Sequence, residues 1–166
     1  MKYFFTSDTH YGHEKVIDYC ERPFRNLTHM DNTLIKNHNS IVSPDDTVYF
    51  LGDFCFKDYK LYKRRLNGNF IFIRGNHDRN NKVPTKILSA VVKHGGKVIY
   101  LVHDPIDIVE DVEMNLVGHV HKLWKFKKSL KGIPMINVGV DVWDYKPITI
   151  EQIMKAYNKW DKGEKK

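Results

Sequence analysis

Phe70-Ile71-Phe72-Ile73-Arg74-Gly75-Asn76-His77-Asp78 is an apolar run that ends, past one turn, in an amide, an imidazole and a carboxylate. Its Phe and Ile content and its lack of polar alternation predict a strand covered on both faces. Glycine at position 75 permits a sharp turn, so the three polar side chains stand at the strand's mouth.

The same order of events recurs along the chain. Lys2 to Thr6 leads to Asp8-Thr9-His10, Thr47 to Leu51 leads to Gly52-Asp53, Lys97 to Val102 leads to His103, and Asn115 to Val117 leads to Gly118-His119-Val120-His121. Helices are expected between these runs. Thr28-His29-Met30-Asp31 reads as a capping box for a helix to about Asn39, with Leu34, Ile35 and His38 at helical spacing. Lys57 to Leu66 and Pro84 to Lys93 are two more, the second with proline in its first turn. Thr149-Ile150-Glu151-Gln152 is a fuller capping box ahead of Ile153, Ala156, Tyr157 and Trp160. Strands alternating with helices predict an α/β layered fold, in which ligands gather beyond the carboxyl ends of the strands.

Length and composition narrow the class. The 166 residues suit one domain, expected over residues 1–160, with 161–166 as a frayed basic tail. With 42% hydrophobic and 28% charged residues the chain is a folding sequence, neither disordered nor fibrous. A formal charge of +7 suits an anionic partner. Two cysteines, Cys20 and Cys55, are too few for a disulfide framework, and no apolar run approaches membrane-spanning length. The expectation is a cytoplasmic protein with no membrane partner.

Asp8 and His10, two residues apart at a strand end, point to the same side, as two ligands of one metal must. His77, His103, His119 and His121 add imidazoles at other strand ends, whereas His29, His38 and His94 are expected to be ordinary helix-face or loop residues. The ordered set Asp8-x-His10, Gly52-Asp53, Gly75-Asn76-His77-Asp78, His103 and Gly118-His119-x-His121 resembles the five-block signature of the calcineurin-like metallophosphoesterases. Asp8-Thr9-His10-Tyr11-Gly12-His13, with Arg22-Pro23-Phe24 and Gly139-Val140-Asp141, resembles more narrowly the small bacterial and phage members.

The resemblance implies a β-sandwich flanked by helices, a four-layer αββα arrangement of α/β class. It implies one divalent ion on Asp8, His10 and His121 and a second on Asn76, His103 and His119, with Asp53 bridging both. Imidazole at both positions favours manganese, iron, zinc or nickel over magnesium or calcium. Such an enzyme hydrolyses phosphomonoesters or phosphodiesters by in-line attack of a hydroxide shared between the metals, with His77 and Asp53 as catalytic residues and His77 serving the leaving group. His13, Arg22, Arg25 and Arg79 are the candidates for touching substrate.

Lys122-Leu123-Trp124-Lys125-Phe126-Lys127-Lys128-Ser129-Leu130-Lys131 interleaves lysines with aromatic rings, a pattern that can hold single-stranded nucleic acid. The reading preferred here is a strand or hairpin with a wet lysine face and a buried aromatic face. Alternatives to the leading function are a nuclease or cyclic-nucleotide phosphodiesterase on the same site, a non-catalytic binding scaffold, and a basic nucleic-acid-binding module with incidental histidines.

Overall fold

Alternate side chains of the apolar runs point into two separate cores. The computed structural model describes residues 1–163. Strands β1 (Tyr3–Thr6), β2 (Thr47–Leu51) and β3 (Asn69–Ile73) run parallel, and β9 (Ile148–Thr149) joins β1 antiparallel, giving the order β3-β2-β1-β9. The second sheet contains β4 (Ser89–His94), β5 (Lys97–Val102), β6 (Met114–Val117), β7 (Phe126–Lys128) and β8 (Pro134–Asn137) in the order β4-β5-β6-β8-β7. Its central members β5, β6 and β8 are parallel.

The sheets pack face to face. Phe5, Leu51 and Ile73 of the first meet Ile99, Leu101, Leu116 and Ile136 of the second in one buried cluster. On the far side of the first sheet, Phe50, Phe70 and Phe72 lie under α1 (Val16–Tyr19), α2 (Leu27–Asn39) and α3 (Tyr59–Lys63). Each large apolar side chain so buried contributes about 1.5–3 kcal/mol, which holds the sandwich together without help from polar groups at its edge. Helix α4 (Ile150–Asp161) adds Ile153 and Tyr157 to the inter-sheet core and starts at the expected box: Gln152 N–H donates to Thr149 Oγ1 at 3.4 Å, and Thr149 N–H to Gln152 Oε1 at 2.8 Å. The architecture is the helix-flanked double sheet of mixed α/β class.

Local expectations differ from the structure in four places. The cap of α2 is Asn26, whose side chain accepts from His29 N–H at 2.9 Å. Asp31 is not free to complete a box from Thr28, because its carboxylate accepts from Gly12 N–H at 3.2 Å and Tyr62 O–H at 3.1 Å. Pro84 to Lys93 does not form a helix. Its second half is β4, turned into β5 through Gly95-Gly96, both at positive φ (54° and 78°), with His94 paired to Lys97. A two-residue glycine loop matches the twist of a hairpin, and the open edge of β5 supplies the pairing that a helix would forgo. The third helix is short, Asp58 capping Tyr59–Lys63 within the expected Lys57–Leu66. At the chain's end α4 still includes Asp161; residues 164–166 of the expected frayed tail lie outside the described residues.

Candidate metal centre

Six parallel strands put their carboxyl ends along one edge of the sandwich, and the motif residues follow those ends. Just past β1 come Asp8 and His10, past β2 Asp53, past β3 Asn76 and His77, past β5 His103, and past β6 His119 and His121. The backbone there is strained. Asp8 (φ 58°), His10 (50°), Asp53 (58°), His119 (71°) and His121 (46°) all occupy the left-handed region, at about 1–2 kcal/mol each for a residue with a Cβ. Outliers clustered on converging side chains point to a site rather than to chance. Close approach also requires Gly118, where a Cβ would lie 2.6 Å from Ser7 Oγ and 2.7 Å from Asp8 Oδ2.

The side chains meet. Nε2 of His10 is 3.9 Å from Asp8 Oδ1 and 3.7 Å from Asp53 Oδ2, and Nε2 of His103 is 3.5 Å from Asp53 Oδ2. Asn76 Oδ1 sits 3.0 Å from His103 Nε2 and 3.1 Å from His119 Nδ1. Donor atoms of Asp8, His10 and His121 fall within 4.8 Å of one another, as do those of Asp8, Asp53 and His103, and either group could hold a metal ion.

A second ring of contacts fixes which atoms face inward. Nδ1–H of His103 donates to Leu51 O at 2.6 Å and that of His121 to Asp141 Oδ2 at 2.8 Å, so both rings offer Nε2 to the centre. Asp141 is gripped in turn by Arg22, whose Nε and Nη2 donate at 2.8 and 2.9 Å, while Nη2 and Nη1 also reach the carbonyls of Asp8 and Thr9 at 2.6 and 2.9 Å. Asp78 accepts from the amides of Asp53, Phe54 and Gly75, tying the loops after β2 and β3 together.

His10 is the least satisfied member of the cluster. It is 3% exposed, yet neither ring nitrogen has a hydrogen-bond partner. An unpaired buried polar group costs about 1–3 kcal/mol, and here two carboxylates stand beside it. A cation between them would engage all three, and imidazole, carboxylate and amide oxygen together suit a first-row transition ion. Titration follows the same geometry: burial pushes His10 down to about 3. Burial also disfavours charge on His103 and His121, but the Asp53 and Asp8 carboxylates carry the first up to about 9, and Asp141 with Asp8 carries the second up to about 10. For Asp53 the burial penalty is outweighed by His103, His10 and the His77 amide, which hold it at about 2.

The expected residues are therefore not all equivalent. Asp8, His10, Asp53, Asn76, His103, His119 and His121 converge, and His77 joins them with its N–H on Asp53 Oδ1 at 3.0 Å and Nε2 3.9 Å from Asp53 Oδ2. His13 lines the same cleft. Arg22, expected at the substrate, is instead buried behind the cluster with its guanidinium fully engaged. Arg25 and Arg79 are exposed and do not line the cleft. Asp141 and Asp78 acquire roles that spacing did not assign; Asp141 belongs to a quoted motif, but its bond to His121 spans 20 residues.

No family model matches the chain. An uncharacterized protein of Methanocaldococcus jannaschii is 36% identical over 170 residues, covering 95% of this chain and 92% of its own. The structure of a protein of unknown function from Aquifex aeolicus superposes with a TM-score of 0.70 at 28% identity, covering 93% of this chain and 98% of that one. Vps29 of Entamoeba histolytica, solved in complex with zinc, shares the fold at a TM-score of 0.50 and 19% identity, over 84% of this chain and 74% of its own. The five blocks lie in order along one edge of that fold. Together with the Methanocaldococcus protein this chain forms one family.

In the lysine-rich segment after His121, Phe126–Lys128 forms β7 and pairs antiparallel with β8, the hairpin preferred from the sequence. Phe126 packs on Trp143, Tyr157 and Trp160, and the Lys125 ammonium sits 3.6 Å from the Trp143 ring centre. Lys122 pairs with Glu21 and Lys128 with Asp161, the latter at 2.6 Å. Phe126 is thus turned toward the core, while Trp124 is half-buried. Among the described residues no helix is long and apolar enough to cross a membrane.

Proposed function

We propose that this protein is a metal-dependent phosphoesterase acting on phosphomonoesters or phosphodiesters, its residues 1–160 working as one domain. The observation that carries the reading is His10, buried between two carboxylates with both ring nitrogens open. Asp8, His10 and His121 would hold one divalent ion, Asn76, His103 and His119 a second, and Asp53 both, with manganese, iron, zinc or nickel suited to the donors. Such ions supply Lewis acidity toward a phosphoryl group and an activated nucleophile at neutral pH.

The chain's own residues do the rest. Leu51 O and Asp141 keep the inward nitrogens of His103 and His121 free of protons once a cation is present. In this reading His77 is not a ligand; half-exposed and 3.9 Å from Asp53 Oδ2, its Nε2 would give a proton to the departing alkoxide. Both cysteines are free thiols, which suits the reducing cytoplasm. The test is to strip the protein of metal, reload it with manganese, count ions by elemental analysis and assay p-nitrophenyl phosphate and its bis-ester. Two ions per chain with metal-dependent turnover are expected; absence of bound metal and of turnover overturns the reading.

A further inference from the structure

The cleft beside the metal centre has one wall built of rings. From Tyr19 at the mouth to His13, Phe56 and His77, successive ring centres are 6.4, 4.0 and 5.0 Å apart. The inner end of this series is the residue assigned to the leaving group. The outer end is wet: Tyr19 is 71% exposed, and Leu123, on the same cleft, is 81% exposed. Val16 and Val120 complete an apolar lining around about 480 Å³, within the usual range of small-molecule sites. Single exposed apolar residues need no explanation. Two at the mouth of a cleft whose floor is a candidate reaction centre do, because neither packs the core.

Chemistry says which half of a substrate lies there. A proton donated by His77 goes to the leaving oxygen, so the group attached to that oxygen must extend along Phe56, His13 and Tyr19. A polyol would leave these rings in contact with water, whereas a flat ring would stack on them. Lys122 at the rim is already paired with Glu21, so no free charge competes for the position.

We propose that Tyr19, His13 and Phe56 form a binding site for a planar aromatic ring carried by the alcohol half of the phosphate ester. Esters of nucleosides or aryl-bearing alcohols are then preferred to esters of bare sugars. This rests on the phosphoesterase reading above, and its test separates the two. First, the zinc-loaded full chain is titrated with adenosine, 2-phenylethanol and methyl ribofuranoside while the ring protons of Tyr19, His13 and Phe56 are followed by NMR. Saturable shifts with adenosine alone identify a nucleobase site, shifts with both ring compounds a general aryl site, and the riboside moves nothing. Second, kcat/KM is compared for adenosine 5′-phosphate and methyl ribofuranoside 5-phosphate, which release the same primary hydroxyl. A preference of about tenfold for the nucleotide is expected, lost in Tyr19→Ala mainly through KM. No shift with either ring compound, or a preference untouched by Tyr19→Ala and Phe56→Leu, overturns the proposal. Should neither ester be hydrolysed, the phosphoesterase reading is what fails, and the titration still decides whether a ring binds.

Discussion

His10 and His38 are buried to the same depth, 3% and 4% exposed, and the protein treats them in opposite ways. His38, on the inner face of α2, has its Nε2 2.8 Å from Asn67 O and its ring stacked on Phe70 at 5.5 Å. His10, at the sheet edge, has rings and carboxylates around it but no partner for either nitrogen. Under α2 buried polar groups answer one another, as Asp31 does with Gly12 and Tyr62. At the edge His103, His121 and Asp78 are answered in the same way, and His10 is the exception among them. His38 is closed within the chain, whereas nothing among the described residues answers either nitrogen of His10.

The most severe way to break that contrast is to remove the charge between the edge histidines. Asp53 Oδ2 is 3.7 Å from His10, 3.9 Å from His77 and 3.5 Å from His103, so Asp53→Asn deprives all of them at once. At least one ion should be lost and activity should drop by more than about 100-fold, beyond what outer contacts of a metal site usually cost. Elemental analysis that still finds two ions per chain would contradict the assignment of Asp53. His77→Asn comes next. Both ions should stay, while hydrolysis of alkyl phosphates falls about 10²- to 10⁴-fold and that of p-nitrophenyl esters much less, because a good leaving group needs no proton. An alkyl phosphate cleaved at the wild-type rate would remove His77 from the mechanism.

How much of this contrast could be read from the sequence follows from the range of the forces involved. Strand ends were legible because Ile, Val and Phe runs stop where chemistry-bearing residues begin, as at Ile73 before Asn76 and Leu51 before Asp53. The box at Thr149 was legible because its partner is three residues away. Arg22 was misplaced because its partners are fixed only by the folded sheet: Asp141 lies 119 residues on, and nothing local distinguishes a guanidinium that clamps a carboxylate from one that awaits a phosphate. β4 was misread for a similar reason, since its pairing with β5 outweighs the local helix signal of Pro84. His10 and His38 themselves differ less in sequence than in what the fold brings near them.

Asp141→Asn sharpens the comparison without touching a proposed ligand. His121 Nδ1–H then donates to an amide in place of a carboxylate, the ring becomes a weaker base, and Arg22 loses a charged partner. Metal affinity measured by calorimetry should weaken about 10- to 100-fold, and the proton affinity of His121 in the metal-free chain should drop well below about 10. Unchanged affinity would mean that Asp141 only packs.

The smallest effect tests the other histidine. Burial pushes His38 down to about 4 from its ordinary 6.5, against the pull of Asn67 O. The unfolded chain takes up a proton near 6.5 and the folded one only near 4, so this residue's contribution to stability is complete above 6.5 and is lost as the pH falls toward 4. The loss is of the order of 3 kcal/mol. His38→Gln keeps a donor for Asn67 O and cannot titrate. In urea unfolding at pH 7, 5 and 4, the wild type should lose more stability than the variant between the first and last points, even though His10 adds its own slope to both. Equal slopes would show that His38 takes its proton without unfolding, and the closed half of the comparison would then be as open as the other.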